Sequence, residues 1–180
     1  MNLRERLEAI EADITTLNVD AIVNAANAAL MPGGGVDGAI RRRAGPELDE
    51  ALYAIGHCAE GDAVITPGFR LPAASIIHTV APVWGAGRDA GGRRSTQEET
   101  LARCYATTLK LADENGVRTI AFPSIGTGAY RWPADVAAKT AFGAVVEHMR
   151  KSEIQTLVTF CCSARQDRER YADLIAGLRE

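Results

Sequence analysis

Residues 22–45 read IVNAANAALMPGGGVDGAIRRRAG, and the way this stretch folds sets the reading of the chain around it. It opens as an apolar run, passes Asn24 and Asn27, turns on Gly33, Gly34 and Gly35, and continues into a segment with Val36, Ala39, Ile40 and Ala44 on one helical face. A buried strand, a glycine loop and a helix start in succession bring main-chain amides and a partial positive charge to one place, which suits an anionic ligand. Asp37, in the first helical turn where negative charge is favoured, adds a carboxylate beside that place.

Outward from this stretch, strands and helices alternate. Residues 6–15 carry Ile10, Ala12 and Ile14 on one side and predict a strand ending at Asp13 and Ile14; residues 19–25 predict a second, mostly buried strand. Gly45 and Pro46 break the first helix and start another, with Leu48, Ala51, Leu52 and Ile55 at inward spacing. Short strands follow at 63–66 and 75–80, then a glycine- and charge-rich segment at 84–94 that reads as a surface loop. Ser95 and Glu98 form a capping box for a helix carrying Leu101, Tyr105, Thr108 and Ala112, which Asn115 and Gly116 end. A buried strand at 118–123 leads through a second glycine loop into a helix with Pro133 at its first turn. A strand at 156–162 precedes a last helix with Tyr171, Leu174, Ile175 and Leu178 inward. The pattern predicts one α/β/α sandwich domain over residues 1–180, built around a largely parallel sheet.

Composition narrows the functional classes. With 20 Lys and Arg against 23 Asp and Glu, the chain has no excess of positive charge for a large nucleic-acid face. Arg41, Arg42 and Arg43 are the local exception, and three consecutive helical positions point three ways, as on a solvated helix side. Cys58, Cys104, Cys161 and Cys162 lack metal-ligand spacing and read as reduced core residues, Cys161 and Cys162 facing opposite sides of their strand. The start of the chain lacks a signal-type apolar core and no run approaches membrane-spanning length, so a cytoplasmic protein with no membrane partner is expected.

Gly33, Gly35 and Gly38 match G-x-G-x-x-G, but AALMPG separates them from the strand and no acidic residue ends a following strand, so a nicotinamide-dinucleotide site is set aside. The second loop, Gly126-Thr127-Gly128, also lies between a strand and a helix, and two such loops can hold a diphosphate between them. Neither contains the lysine of a phosphoryl-transfer loop, which argues against nucleotide hydrolysis.

The segments ADIT (12–15), VDAIVNAAN (19–27), GGGVDGAI (33–40), LPAASIIHTVAPVW (71–84) and FPSIGTGAYRWP (122–133), in this order, resemble the macrodomains, modules that bind ADP-ribose, and most closely the MacroD-type hydrolases. The resemblance covers nearly the whole chain. It implies a three-layer α/β/α sandwich on a six-stranded mixed sheet, and a ligand lying across the strand ends. By position, Asp13 accepts from the adenine amino group beside the Ile14 amide; Gly34, Gly35 and Val36 line the diphosphate and distal ribose. Ser124, Ile125, Gly126, Thr127, Gly128 and Ala129 form the second phosphate loop, and Tyr130 packs on the distal ribose. Asn27 binds ribose hydroxyls and Asp37 lies near the scissile ester, as the catalytic pair. The implied substrates are O-acetyl-ADP-ribose and mono-ADP-ribosylated acidic side chains of proteins; neither cofactor nor metal is called for.

Four departures from the family pattern stand out. Ser163 occupies the position where an aromatic usually stacks on adenine, Arg41 stands where relatives often have His, and Glu60 and Ala81 replace a common Thr and Gly. Each site residue also has a plainer role open to it: Asp37 as a helix-start residue, Asn27 as a turn former, Asp13 as a strand end, Tyr130 as packing. Trp132, Phe160 and Cys104 read as packing residues and His78 as a hydrogen-bonded core residue; no histidine has a nucleophile partner for a triad. The functional expectation is an ADP-ribosyl ester hydrolase. The alternative is a non-catalytic ADP-ribose-binding reader, and an RNA- or poly(ADP-ribose)-binding adaptor is poorly supported by the charge balance.

Overall fold

The computed structural model describes residues 1–85 and 95–179, the Ser95 side chain excepted. Six strands form one sheet: β1 (Leu7–Glu11), β2 (Ala21–Ala25), β3 (Ala63–Pro67), β4 (Ser75–Thr79), β5 (Thr119–Phe122) and β6 (Leu157–Cys162). Their order across the sheet is β1-β6-β5-β2-β4-β3. All neighbours are parallel except β3, which pairs antiparallel with β4 at the edge. The sheet is therefore mixed and largely parallel, as expected.

Helices cover both faces. α1 (Gly35–Ala44) and α2 (Pro46–Ile55) lie on one side; α3 (Ser95–Glu114), α4 (Ala134–Lys151) and α5 (Arg165–Ala176) lie on the other. The central strands are apolar on both faces because both are covered. Alternation along β2 sends Ala21 and Val23 to the three-helix side and Ile22 to the α1/α2 side, all fully buried. Cys161 and Cys162 divide in the same way, Cys161 into the α1/α2 core and Cys162 into the opposite one. All four cysteines are buried and unpaired, and burial pushes the thiols of Cys58, Cys161 and Cys162 up to about 11.

The three-helix core stacks Phe160 on Tyr171 at 4.2 Å between ring centroids and sets Tyr105 against Phe122 at 5.0 Å. Each such pair contributes about 0.5–1.5 kcal/mol beyond burial. Leu101, Tyr105, Thr108 and Ala112 form the buried stripe of α3 as predicted, and Cys104 and Phe160 are core residues.

Several expectations are corrected. The first strand ends at Glu11, not at Asp13: Asp13 instead caps a 3-10 turn, Ile14–Thr16, accepting from the Thr15 N–H. Ile55 is 40% exposed because the left-handed Gly56 ends α2 there, leaving Leu48 and Leu52 to bury that helix. Pro133 is the N-cap of α4, one position before its first turn. Leu178 lies beyond the end of α5, though it still packs on the core. The surface loop expected at 84–94 lies outside the described residues apart from Trp84 and Gly85, as does the Ser95 half of the capping box.

Candidate active site

Five strands run in parallel, so their C-terminal ends share one edge of the sheet. In open α/β sheets this edge is where ligands bind. Reading across the strand order, the edge presents Asp13 after β1, Ser163 after β6, the loop 123–133 after β5, and the loop 26–34 after β2. From β1 to β2 is three inter-strand steps, roughly 14 Å at the usual spacing.

At the β1 end the Asp13 carboxylate accepts from the Thr15 hydroxyl at 2.7 Å and the Thr15 N–H at 3.0 Å, both on Oδ1. These bonds hold its carboxyl below the ordinary value. It thus remains an acceptor, with Oδ2 taking no partner among the described residues. Ile14 is buried beneath the turn, and Ser163 is exposed next to it in strand order.

The β2 loop ends in the helix start of α1. Gly34 is the N-cap and offers no side chain, so the N–H groups of Gly34, Gly35 and Val36 donate to no protein group among the described residues. Gly38 permits the first turn to close on the loop: a Cβ there would lie 3.0 Å from the Gly33 carbonyl oxygen. Across the cleft, Gly126 (φ +87°) turns the β5 loop over the Trp132 ring, and the Gly128 and Ala129 N–H groups likewise have no protein partner among the described residues. Trp132 is 3% exposed, donates Nε1–H to the Pro82 carbonyl at 2.8 Å and contacts Trp84, so its packing role holds. Ile125 is buried and the Ser124 Oγ is buried too, so Ser124 can present only main chain to the cleft. Thr127 ties the loop down by donating its hydroxyl to the Ser124 carbonyl at 2.9 Å. Half-buried Tyr130 receives the Trp84 N–H at 2.9 Å on its carbonyl. Leu30 (φ +55°) and Arg131 (φ +59°) are left-handed non-glycine residues, one in each loop. Such costly conformations cluster at ligand sites.

Asn27 and Asp37 converge on Gly33. A Cβ on Gly33 would lie 3.4 Å from Asp37 Oδ2 and 3.8 Å from Asn27 Nδ2. Asn27 is also a turn former, as its plainer role required: its Nδ2 donates to the Met31 carbonyl at 2.7 Å and its Oδ1 accepts from the Met31 N–H at 3.1 Å. Asp37 is only 4% exposed, and three donors converge on it. Asn24 Nδ2 reaches Oδ1 at 2.7 Å, while the Gly33 N–H and Arg41 Nε reach Oδ2, each at 2.8 Å. The Gly33 bond is a helix-start contact of the capping-box kind.

Two residues near Asp37 escaped the sequence reading. Arg41 is not solvated like Arg42 and Arg43; it is buried, pairs with both Asp37 and Asp49, and donates to the Leu30 carbonyl at 2.9 Å. Asn24 lies fully buried in an apolar strand, as does His78 in the strand beside it. A polar residue in each of two adjacent buried strands implies mutual hydrogen bonding, which was the available signal. His78 is the hydrogen-bonded core residue expected, with ring nitrogens 3.1 Å from Asn24 Nδ2 and 2.9 Å from Thr66 Oγ1; burial pushes it down to about 4. Among the described residues, no group of three or more His, Cys, Asp or Glu is placed to hold a metal ion, and no helix is long and apolar enough to cross a membrane.

Comparison with known proteins agrees with this layout. A macro domain-containing protein of Chlorobaculum tepidum is 50% identical over 171 residues, spanning 95% of this chain and 96% of its own. A Salmonella typhimurium protein named O-acetyl-ADP-ribose deacetylase is 45% identical over 177 residues, spanning 96% of each chain. The solved Oceanobacillus iheyensis macrodomain with ADP superposes with a TM-score of 0.87 at 37% identity, covering 96% of this chain and 93% of that one. The Macro domain family profile matches residues 23–141. With the strand order, the paired glycine loops and these likenesses in agreement, the chain belongs to the macro domain family.

Proposed function

We propose that this protein, a single MacroD-type macrodomain over residues 1–180, is a cytoplasmic hydrolase that binds ADP-ribose and cleaves esters at its distal ribose. Its substrates are O-acetyl-ADP-ribose and proteins carrying mono-ADP-ribose on acidic side chains. The observation that carries the reading is the convergence of Asn27 and Asp37 on Gly33, beside amides that have no protein partner among the described residues. The solved Oceanobacillus iheyensis neighbour with ADP and the Salmonella typhimurium relative's name support the ligand and the reaction.

In this reading adenine sits at the Asp13–Ile14 end, and the diphosphate lies between Gly34, Gly35, Val36 and the Ser124–Ala129 main chain. The distal ribose is held by Asn27 and Tyr130. Asp37 orients or partly deprotonates a water that attacks the acyl carbonyl. The acyl–oxygen bond then breaks, acetate leaves, and the ribose oxygen takes up a proton. Fixing the ribose between two loops supplies the positioning part of the rate.

Acetate release from O-acetyl-ADP-ribose tests the reading directly. The wild type is expected to turn over well above an Asn27→Ala, Asp37→Ala double variant, and equal rates would sink the proposal. One observation favours the alternative, a non-catalytic reader: Asp37 is 4% exposed and both carboxylate oxygens already accept protein donors. Tight ADP-ribose binding in calorimetry with no ester cleavage would establish that reading instead. At the adenine end, Ser163→Phe is expected to tighten ADP-ribose binding by roughly two- to tenfold, the equivalent of one aromatic contact of about 0.5–1.5 kcal/mol. An unchanged dissociation constant would show that adenine does not lie over position 163.

A further inference from the structure

Asp37 is gripped from below as well as from the loop. Asn24 and His78 are register partners on the parallel strands β2 and β4. Thr66, on the antiparallel edge strand β3, sits two pairs along on the same face, opposite Ile76. All three face the α1/α2 side, where Ile22 and Ile76 pack. The result is a continuous polar line through an otherwise apolar layer. Asp37 Oδ1 to Asn24 Nδ2 is 2.7 Å, Asn24 Nδ2 to His78 Nδ1 is 3.1 Å, and His78 Nε2 to Thr66 Oγ1 is 2.9 Å. Asn24 and His78 are fully buried and Thr66 is 4% exposed, so no member can exchange its partner for water.

Donor and acceptor counting gives this line one polarity. Asp37 accepts from all three of its neighbours, so Asn24 must turn its NH2, not its carbonyl, toward it. The same NH2 also faces His78 Nδ1, which therefore accepts, and the ring proton sits on Nε2. Nε2–H donates to Thr66 Oγ1, whose own proton goes to the Pro67 carbonyl at 3.1 Å. The arrangement leaves Asn24 Oδ1 buried without a partner. Turning the amide over would satisfy that oxygen only by setting it against the Asp37 carboxylate. An unpaired buried acceptor calls for an explanation, and the hold on Asp37 supplies one. Burial that pushes His78 down to about 4 agrees with a neutral ring.

We propose that His78 is a positioning residue for Asp37: by accepting from Asn24 through Nδ1 it locks the Asn24 amide, and with it the carboxylate, at the Asn27–Gly33–Asp37 mouth. Thr66 completes the device by holding the ring proton on Nε2. This rests on the hydrolase reading for its effect on turnover, but its hydrogen-bond polarity can be tested without turnover.

The kinetic experiment compares His78→Leu with His78→Asn, whose Oδ1 can take the place of Nδ1. His78→Leu is expected to lower kcat for O-acetyl-ADP-ribose by about 10- to 100-fold, the scale of a misplaced catalytic group, with ADP-ribose affinity within about twofold of wild type. His78→Asn is expected to recover most of that loss. Equal losses in both variants, or no loss in either, overturn the proposal. If His78→Leu does not fold, Thr66→Val removes the acceptor of Nε2–H at constant volume; it is expected to lower kcat and to populate the Nδ1–H tautomer. An unchanged kcat in Thr66→Val then overturns the proposal. Imidazole nitrogen NMR of the wild type provides the independent arm: the neutral Nε2–H form is expected, and the Nδ1–H or doubly protonated form at neutral pH overturns the assignment. A protein that binds ADP-ribose, shows the Nε2–H form and releases no acetate would defeat the hydrolase reading alone.

Discussion

Replacing Asp37 by Ala is expected to cut turnover of O-acetyl-ADP-ribose by at least two orders of magnitude, the scale of a lost acid–base group, and to destabilise the fold as well. The carboxylate is buried and is the meeting point of three donors. Its loss leaves the Gly33 N–H and one Asn24 N–H unpaired and strips the buried Arg41 of its Nε partner, although Asp49 and the Leu30 carbonyl remain. Breaking a buried ion pair costs about 3–5 kcal/mol, and the remaining partners of Arg41 put this case near 3. For a chain of this length that corresponds to a fall in Tm of roughly 6–12 °C. Asp37→Asn separates the two effects. Its Oδ1 can still accept from Gly33 and Arg41, but its NH2 meets the Asn24 NH2 donor to donor. A smaller loss of Tm is expected with the same loss of turnover, measured well below both midpoints. Wild-type kcat in Asp37→Asn would assign the carboxylate to loop architecture alone.

The second large effect is expected at Gly126. Its φ of +87° is one that a side chain disfavours, and a Cβ would lie 2.6 Å from Trp132 Cδ1 and 3.0 Å from Cγ. The ring has nowhere to go: it is 3% exposed, bonded to the Pro82 carbonyl and packed on Trp84 at 4.7 Å between centroids. Left-handed strain of about 1–2 kcal/mol and overpacking of about 1–3 kcal/mol both fall on Gly126→Ala. A loss of about 3 kcal/mol and a Tm lower by roughly 6–12 °C are expected. ADP-ribose binding by the folded variant should be lost, because the loop amides can no longer converge. Gly128→Ala is the control: among the described residues nothing lies within 4 Å of its Cβ position. Its Tm should stay at the wild-type value, and any loss of affinity there reports contact with ligand. A Gly126→Ala variant of wild-type Tm and affinity would show that the second loop does not hold the diphosphate.

Much of this was legible in the chain itself, for reasons of period and punctuation. Apolar runs of strand length alternating with 3.6-periodic segments specify covered parallel strands, and β2, β4, β5 and β6 lie within one or two residues of where those runs placed them. Two glycine loops, each between a strand and a helix, announced where main-chain amides would be left open. Strand alternation alone separated Cys161 from Cys162. What escaped was everything that depends on a neighbour remote in sequence. Helical period shows that Arg41, Arg42 and Arg43 point three ways, but not which of them is buried; α2 and the Leu30 carbonyl decided that for Arg41. Asp13 is the local exception: it reads as a strand end until Thr15, two residues on, folds back on it.

The sequence by itself determined a covered, largely parallel sheet and two glycine loops at the strand ends, for which local sterics and apolar period suffice; Asn27 and Asp37, beside the first loop, were singled out by the resemblance to the macrodomains. Only the tertiary structure decided that Asp37 is held inward by Arg41 on one side and by Asn24, His78 and Thr66 on the other. That hold depends on strand order and register, which bring β2, β4 and β3 side by side although 42 residues separate Asn24 from Thr66. A buried polar group cannot remain unpaired without cost, so once that register forms, the hydrogen bonds follow.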